Sequence, residues 1–273
     1  ATASGSVRRN DLADFKRVQA NGKIAMKLPE GDRIVGVAIC DANDDILLSG
    51  RRGKCIRFPV IDVRVFKSRD SVGVRGIRLV GDDELIAMSI VRHAEFDSDT
   101  RDRYLRWSNA RRRAEGEGES SADPLPSAPE QADEMAAAEQ FVLSITENGY
   151  GKRTSAYEYR VTGRGGQGII NIEASDRNGP VVASAPVEED HHIMLVTDTG
   201  RLIRTPVHDI RIAGRNTQGV TLFDVEPNER VVSVAWLSEQ NDGEDADDDG
   251  DDGETGDAPN VAPSDSPGNT DDE

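Results

Sequence analysis

Four glycines, Gly5, Gly53, Gly149 and Gly200, open segments of this chain that share one residue pattern. Gly5 to Gly53 spans 48 residues and Gly149 to Gly200 spans 51, whereas Gly53 to Gly149 spans 96 because it contains an insertion. Four residues after each glycine stands an arginine: Arg9, Arg57, Arg153 and Arg204. Nine residues after it stands an acid: Asp14, Asp62, Glu158 and Asp209. Eleven residues after it stands a base, Lys16, Arg64, Arg160 or Arg211, each preceded by an apolar or aromatic residue, Phe15, Val63, Tyr159 or Ile210. A second glycine closes a loop further on: Gly22, Gly76, Gly168 or Gly219, at gaps of 17, 23, 19 and 19 residues. A repeat of about 50 residues is the mark of a propeller or a stacked array.

Within each unit the segments after the second glycine are short, β-branched and bounded by Gly, Pro, Asp and Asn. They read as antiparallel strands: Lys23–Leu28 and Ile34–Ile39, Ile169–Ile172 and Val181–Ala185, Val220–Phe223 and Val231–Trp236. No unit offers ten consecutive residues at a 3.6 period free of a turn signal, which excludes a helical array. The expected fold is all-β, with each unit holding about four strands, the content of one propeller-type blade.

The formal net charge of -18 is unevenly placed. Residues 239–273 carry 15 acids and no Lys or Arg among Gly, Pro, Ser and Asn, a composition that cannot bury enough apolar surface to fold. Residues 93–139 carry 12 acids against 6 arginines and end in a Pro-, Ser- and Ala-rich run. Removing both from 33 bases and 51 acids leaves 27 bases and 24 acids, so the repeats are slightly basic. Hence the expected organisation is blades over 1–92 and 140–238, a disordered or partly helical charged insertion of low order at 93–139, and a disordered acidic tail at 239–273. The two cysteines, Cys40 and Cys55, read as small buried thiols, and His191-His192 has no partners at metal-ligand spacing, so no metal site is expected. No apolar run is long enough to span a bilayer and no secretion signal leads the chain, so a soluble, cytoplasmic protein is expected. The start at Ala1 reads as a piece of something longer.

Several runs resemble the C-terminal domain of the A subunit of bacterial DNA gyrase: Gly73–Leu79, Asn148–Arg153, Gly163–Gly168, Asp176–Gly179 and, above all, Gly214-Arg215-Asn216-Thr217-Gln218-Gly219-Val220. The resemblance covers residues 1–92 and 140–238. It implies a six-bladed β-pinwheel that wraps double-stranded DNA around its rim, of which this chain supplies four blades and the tail. It also implies a place in an ATP-dependent type II topoisomerase that introduces negative supercoils at the bacterial chromosome, as an A2B2 heterotetramer with the gyrase B subunit. ATP and Mg are then bound elsewhere, and no cofactor or catalytic residue is expected in this chain. The family's Gln-Arg-Arg-Gly-Gly-Lys-Gly box is absent; Arg164-Gly165-Gly166-Gln167-Gly168 is a degenerate echo of it. Two alternatives stay open: the matching domain of the topoisomerase IV A-type subunit, and a propeller-like protein-interaction module.

Three sets of residues follow. Arg9, Arg57, Arg153 and Arg204 are expected to form structural ion pairs with Asp14, Asp62, Glu158 and Asp209, the acid five residues on in each unit. Lys16, Arg64, Arg160 and Arg211 adjoin apolar neighbours that turn inward, so they point outward and are expected to meet phosphate. The loop bases Lys23, Arg69, Arg75, Arg164 and Arg215 lie among glycines that let a DNA backbone approach closely, and are expected to bind it too. Tyr150, Tyr157 and Tyr159 read as packing residues of the repeats.

Overall fold

The computed structural model describes residues 1–17, 20–67, 71–116 and 125–238. Arg69 and the acidic stretch 239–273 lie outside the described residues. The first repeat contributes one short strand, β1 (Ser6–Val7). The other repeats contribute four each: β2 (Asp44–Gly50), β3 (Lys54–Pro59), β4 (Val74–Arg75) and β5 (Leu85–Arg92); then β6 (Phe141–Thr146), β7 (Tyr150–Ser155), β8 (Ile169–Ile170) and β9 (Val181–Val187); then β10 (His192–Thr197), β11 (Leu202–Pro206), β12 (Val220–Thr221) and β13 (Val231–Leu237).

Sequence repeat and blade do not coincide. The third strand of each later repeat leaves its own sheet and pairs antiparallel with the strand that follows the opening glycine of the repeat before: β4 with β1, β8 with β3 and β12 with β7. The two four-stranded sheets therefore run β5-β2-β3-β8 and β9-β6-β7-β12. The last repeat forms the three-stranded sheet β11-β10-β13. This exchange stitches successive blades through backbone hydrogen bonds and covers one edge of each receiving sheet, an edge that would otherwise recruit other strands.

The repeating glycines carry the exchange. Gly53 and Gly149 sit at φ +79° and +76°, where only glycine is unstrained. A Cβ on either would strike a backbone carbonyl of the next repeat, Ile172 O or Phe223 O. Their own carbonyls accept hydrogen bonds from that same strand, from Asn171 N and Leu222 N at 2.8 Å, as Gly5 O accepts from Gly76 N.

The expected strands Lys23–Leu28 and Ile34–Ile39 form no ladder; Ile34 alone bridges Thr2. Their apolar residues Ile24, Val37 and Ile39 are exposed, so no sheet face covers them to hold them in register.

Apolar side chains fill the blade faces and the space between blades. Leu47, Cys55, Val91, Val142, Ala156 and Tyr159 join the second blade to the third. Tyr159 OH donates to Asn171 Oδ1 at 2.7 Å, and the Asn171 amide in turn reaches Ser144 and Ser184, so this buried polar group is satisfied.

The described part of the insertion is partly helical, as expected. It holds α1 (Ser98–Gly116) and α2 (Ala132–Ala138), docked through Tyr104, Met135 and Tyr157. The Tyr104 and Tyr157 rings meet edge to face at 5.5 Å. Tyr104 OH donates to Glu139, which also takes Arg112 at 2.6 Å, while Tyr157 OH donates to Met135 O. Tyr104, packed on Tyr157 and Met135, is the buried anchor of a helix whose sequence is otherwise largely polar.

Candidate nucleic-acid interface

Two of the first arginine set, Arg57 and Arg153, are structural, but their partners are not the expected ones. Arg57 is 4% exposed and donates through Nε to Asp45 Oδ2 at 2.8 Å, through a terminal nitrogen to Ala156 O of the next blade at 2.8 Å, and to Arg92 O. Arg153 likewise donates to Ile210 O and His208 O of the next blade and to Glu189. Each is a bolt from one blade into the 3-10 turn of the following one. Asp62 stays exposed on the surface, and Glu158 serves another arginine. The reason is geometric: the acid five residues on lies beyond the strand end, on the turn, while the guanidinium points across the junction. Arg204 is exposed and contacts His192 Nδ1 at 3.3 Å, and Asp209 lies 3.4 Å from His208 Nε2. Arg9 and Asp14 are half-buried, and no ion pair joins them among the described residues.

The third position of the pattern recurs with the same backbone geometry at every junction. Arg9, Arg57 and Arg153 form parallel bridges to Val65, Val161 and Ile212 of the next repeat. Phe66 N, Thr162 N and Ala213 N then donate to Arg9 O, Arg57 O and Arg153 O at 2.9, 2.9 and 2.8 Å. Arg64, Arg160 and Arg211 immediately precede the bridged residues, and all three are exposed. Arg64 lies with its guanidinium carbon 4.4 Å from the Phe66 ring centroid, a contact that orients it without neutralising it. Lys16, the equivalent residue of the first repeat, is exposed at the end of the turn Leu12–Phe15.

The loop bases divide. Arg75 is exposed, and Lys23 is exposed with its ammonium on Asp14 O at 2.5 Å. Arg164 reaches back to Asp62 O and Arg75 O, both at 3.0 Å. Its counterpart Arg215 donates to Ile170 O at 2.7 Å, and its backbone N–H meets Glu158 Oε2 at 2.9 Å. These two hold a loop of their own repeat against the blade before, so their donors are partly committed within the protein.

One residue escaped the sequence reading. Lys152 is fully buried beneath the Gly214–Gly219 loop and donates to Gly214 O, Arg215 O and Thr217 O at 2.6, 2.7 and 3.2 Å. Its place in the sequence, beside Arg153, gave no sign of this. Burial lowers its pKa to about 8, against the pull of Glu158. The unfolded chain binds this proton up to about 10.5, so Lys152 makes stability rise as pH climbs from 8 towards 10.5. Buried Cys55 and Tyr157, both raised to about 12, act the other way as pH passes 9 to 10. Comparing native chain with Lys152→Met at pH 7.5 and 9.5 isolates the lysine: the variant should lack a gain on the order of 1 to 2 kcal/mol that the native chain shows. Equal pH dependence of the two unfolding midpoints would contradict it.

Among the described residues no group of three or more His, Cys, Asp or Glu is placed to hold a metal, and no helix is long and apolar enough to cross a membrane. Successive antiparallel blades that exchange an edge strand, bolted by buried arginines and showing one exposed arginine at each junction, define a propeller of the pinwheel kind. The model of the DNA gyrase C-terminal domain, beta-propeller, matches residues 1–41, 44–92, 140–188 and 191–235, one stretch per repeat with the insertion passed over. This chain belongs to that family.

The DNA gyrase A subunit of Granulibacter bethesdensis is 51% identical over 251 residues, which cover 86% of this chain and 27% of that protein. Its counterpart from Rickettsia bellii is 46% identical over 245 residues, covering 89% and 27%. The chain therefore spans about a quarter of the length of the curated relatives it matches. Two solved folds are similar. The structure of DNA gyrase A C-terminal domain has a TM-score of 0.62 at 23% identity and covers 87% of this chain and 64% of its own. The crystal structure of the C-terminal domain of DNA topoisomerase IV has a TM-score of 0.65 at 18% identity and covers 87% and 60%.

Proposed function

We propose that this chain binds double-stranded DNA along its blade junctions and wraps it, as the C-terminal part of a gyrase A subunit. The observation that carries the reading is the equivalence of Arg64, Arg160 and Arg211: three exposed arginines at the same backbone position of three successive junctions. DNA offers one negative charge per roughly 1.7 Å of axis whatever its sequence, so evenly repeated bases on a blade array suit a sequence-independent wrap. Bending 20 to 30 bp by 40 to 90° costs on the order of 1 to 6 kcal/mol, so a single junction would not hold it bent. Within the whole enzyme the chain would present DNA to an upstream cleavage site, in an A2B2 assembly with the gyrase B subunit, with ATP and Mg bound outside this chain.

The curated relatives at 45 to 51% identity carry the gyrase name, which favours gyrase over topoisomerase IV; the two solved folds do not discriminate. A protein-interaction module leaves the repeated arginines without a purpose. The test is topological: nicked minicircles ligated in the presence of the chain and then deproteinised should show a shifted linking number that grows with protein concentration. An unshifted distribution at saturating protein would overturn the wrapping.

A further inference from the structure

The insertion helix and the rim of the third blade enclose a cleft of about 860 Å³. Five arginines line it: Arg101, Arg106 and Arg113 from α1, Arg160 from the junction and Arg215 from the loop. Two carboxylates among the described residues face them, Asp102 and Glu158, and Glu158 is taken up by the backbone N–H of Arg215. Among the described residues Arg101, Arg106, Arg113 and Arg160 enter no ion pair, and the buried Arg101 Nε makes no hydrogen bond. Among the described residues the cleft thus sets five arginines against two carboxylates, while the Tyr104 contacts fix the helix that carries three of the arginines.

From these features we infer that the insertion is a second DNA-contacting element, with α1 seating the phosphate backbone of a duplex that also touches Arg160. This rests on the DNA-binding reading above and extends it to a segment outside the repeats. Two observations select a duplex over a small anion. Arg101 to Arg113 covers twelve helical steps, roughly 18 Å along α1, a row matched to successive phosphates rather than to one. Arg160 belongs at once to this cleft and to the series of junction arginines, so a strand following the blades enters the cleft without a detour. Arginine suits the task, since its fork meets two phosphate oxygens together.

The test uses the full chain and random-sequence duplex DNA, with affinity measured across a salt series. Arg101→Gln/Arg106→Gln/Arg113→Gln should flatten the slope of log affinity against log salt by roughly 0.9 per lost contact, leaving the melting temperature in place. The pair Arg106→Gln/Arg113→Gln, both exposed, guards against a folding effect at Arg101 and should flatten it by about 1.8. If these slopes match the native chain while Arg64→Ala/Arg160→Ala/Arg211→Ala lowers its own, the helix lies off the DNA path and this inference fails, though the DNA reading stands. Absence of DNA binding by the native chain would instead remove the reading itself. A photoreactive amino acid at Asn109, which also lines the cleft, should crosslink to labelled DNA. Crosslinking to residues 239–273 in its place would assign the cleft to the chain's own acidic segment and overturn the proposal.

Discussion

Arg57→Met should cost about 3 to 5 kcal/mol of unfolding free energy, because it strands the fully buried Asp45 carboxylate, whose remaining side-chain partner among the described residues is His93 Nδ1 at 3.0 Å. It also removes the donor to Ala156 O that ties one blade to the next, and the donor to Arg92 O within the same sheet. Against a typical total of about 5 to 15 kcal/mol the loss is large. Urea midpoints measure it. Adding Asp45→Asn should recover part of the loss, since a neutral amide is cheaper to leave in place than a bare charge. Asp62→Ala, by contrast, should stay within about 0.5 kcal/mol of the native chain, because Asp62 is exposed and Arg164 uses only its backbone carbonyl. Equal losses for Arg57→Met and Asp62→Ala would restore the pairing that the repeat alone points to.

The second large effect falls on DNA rather than stability. Replacing Arg64, Arg160 and Arg211 together by Ala removes three exposed charges whose flanking backbone bonds remain, so the chain should fold with little change in melting temperature. Binding to any duplex should weaken, and the slope of log affinity against log salt should fall by about 0.9 per residue, about 2.7 in all. A lowered melting temperature with an unaltered slope would mean that these arginines brace the junctions instead.

The two variants fail in opposite assays because the same repeat places one arginine inside a junction and another on its surface. From the glycine spacing and the short β-branched runs, the sequence is sufficient for the all-β class and for the strands of the last three repeats, whereas the first repeat keeps only β1 of its expected strands. These are local properties: a positive-φ turn needs glycine, and alternating burial needs apolar residues at period two. The exposed junction arginines were legible for the same reason, since an apolar neighbour turned inward directs the base outward.

Partnership was not legible. Asp45 precedes Arg57 on the adjacent strand of a hairpin, Arg153 reaches a carbonyl 57 residues away, and Lys152 lies under a loop more than 60 residues distant. Such contacts depend on the strand exchange that sets each repeat against the next, and no spacing within a repeat encodes it. The insertion shows the same division. Its composition announces a charged, partly helical segment, but the docking of Tyr104 on Tyr157, and with it the cleft between α1 and the blade rim, exists only once the blades are assembled. Sequence alone determined what each repeat is made of; the tertiary structure decided which charge meets which, because electrostatic pairing is set by distance in space and the exchanged strands bring together residues that lie far apart along the chain.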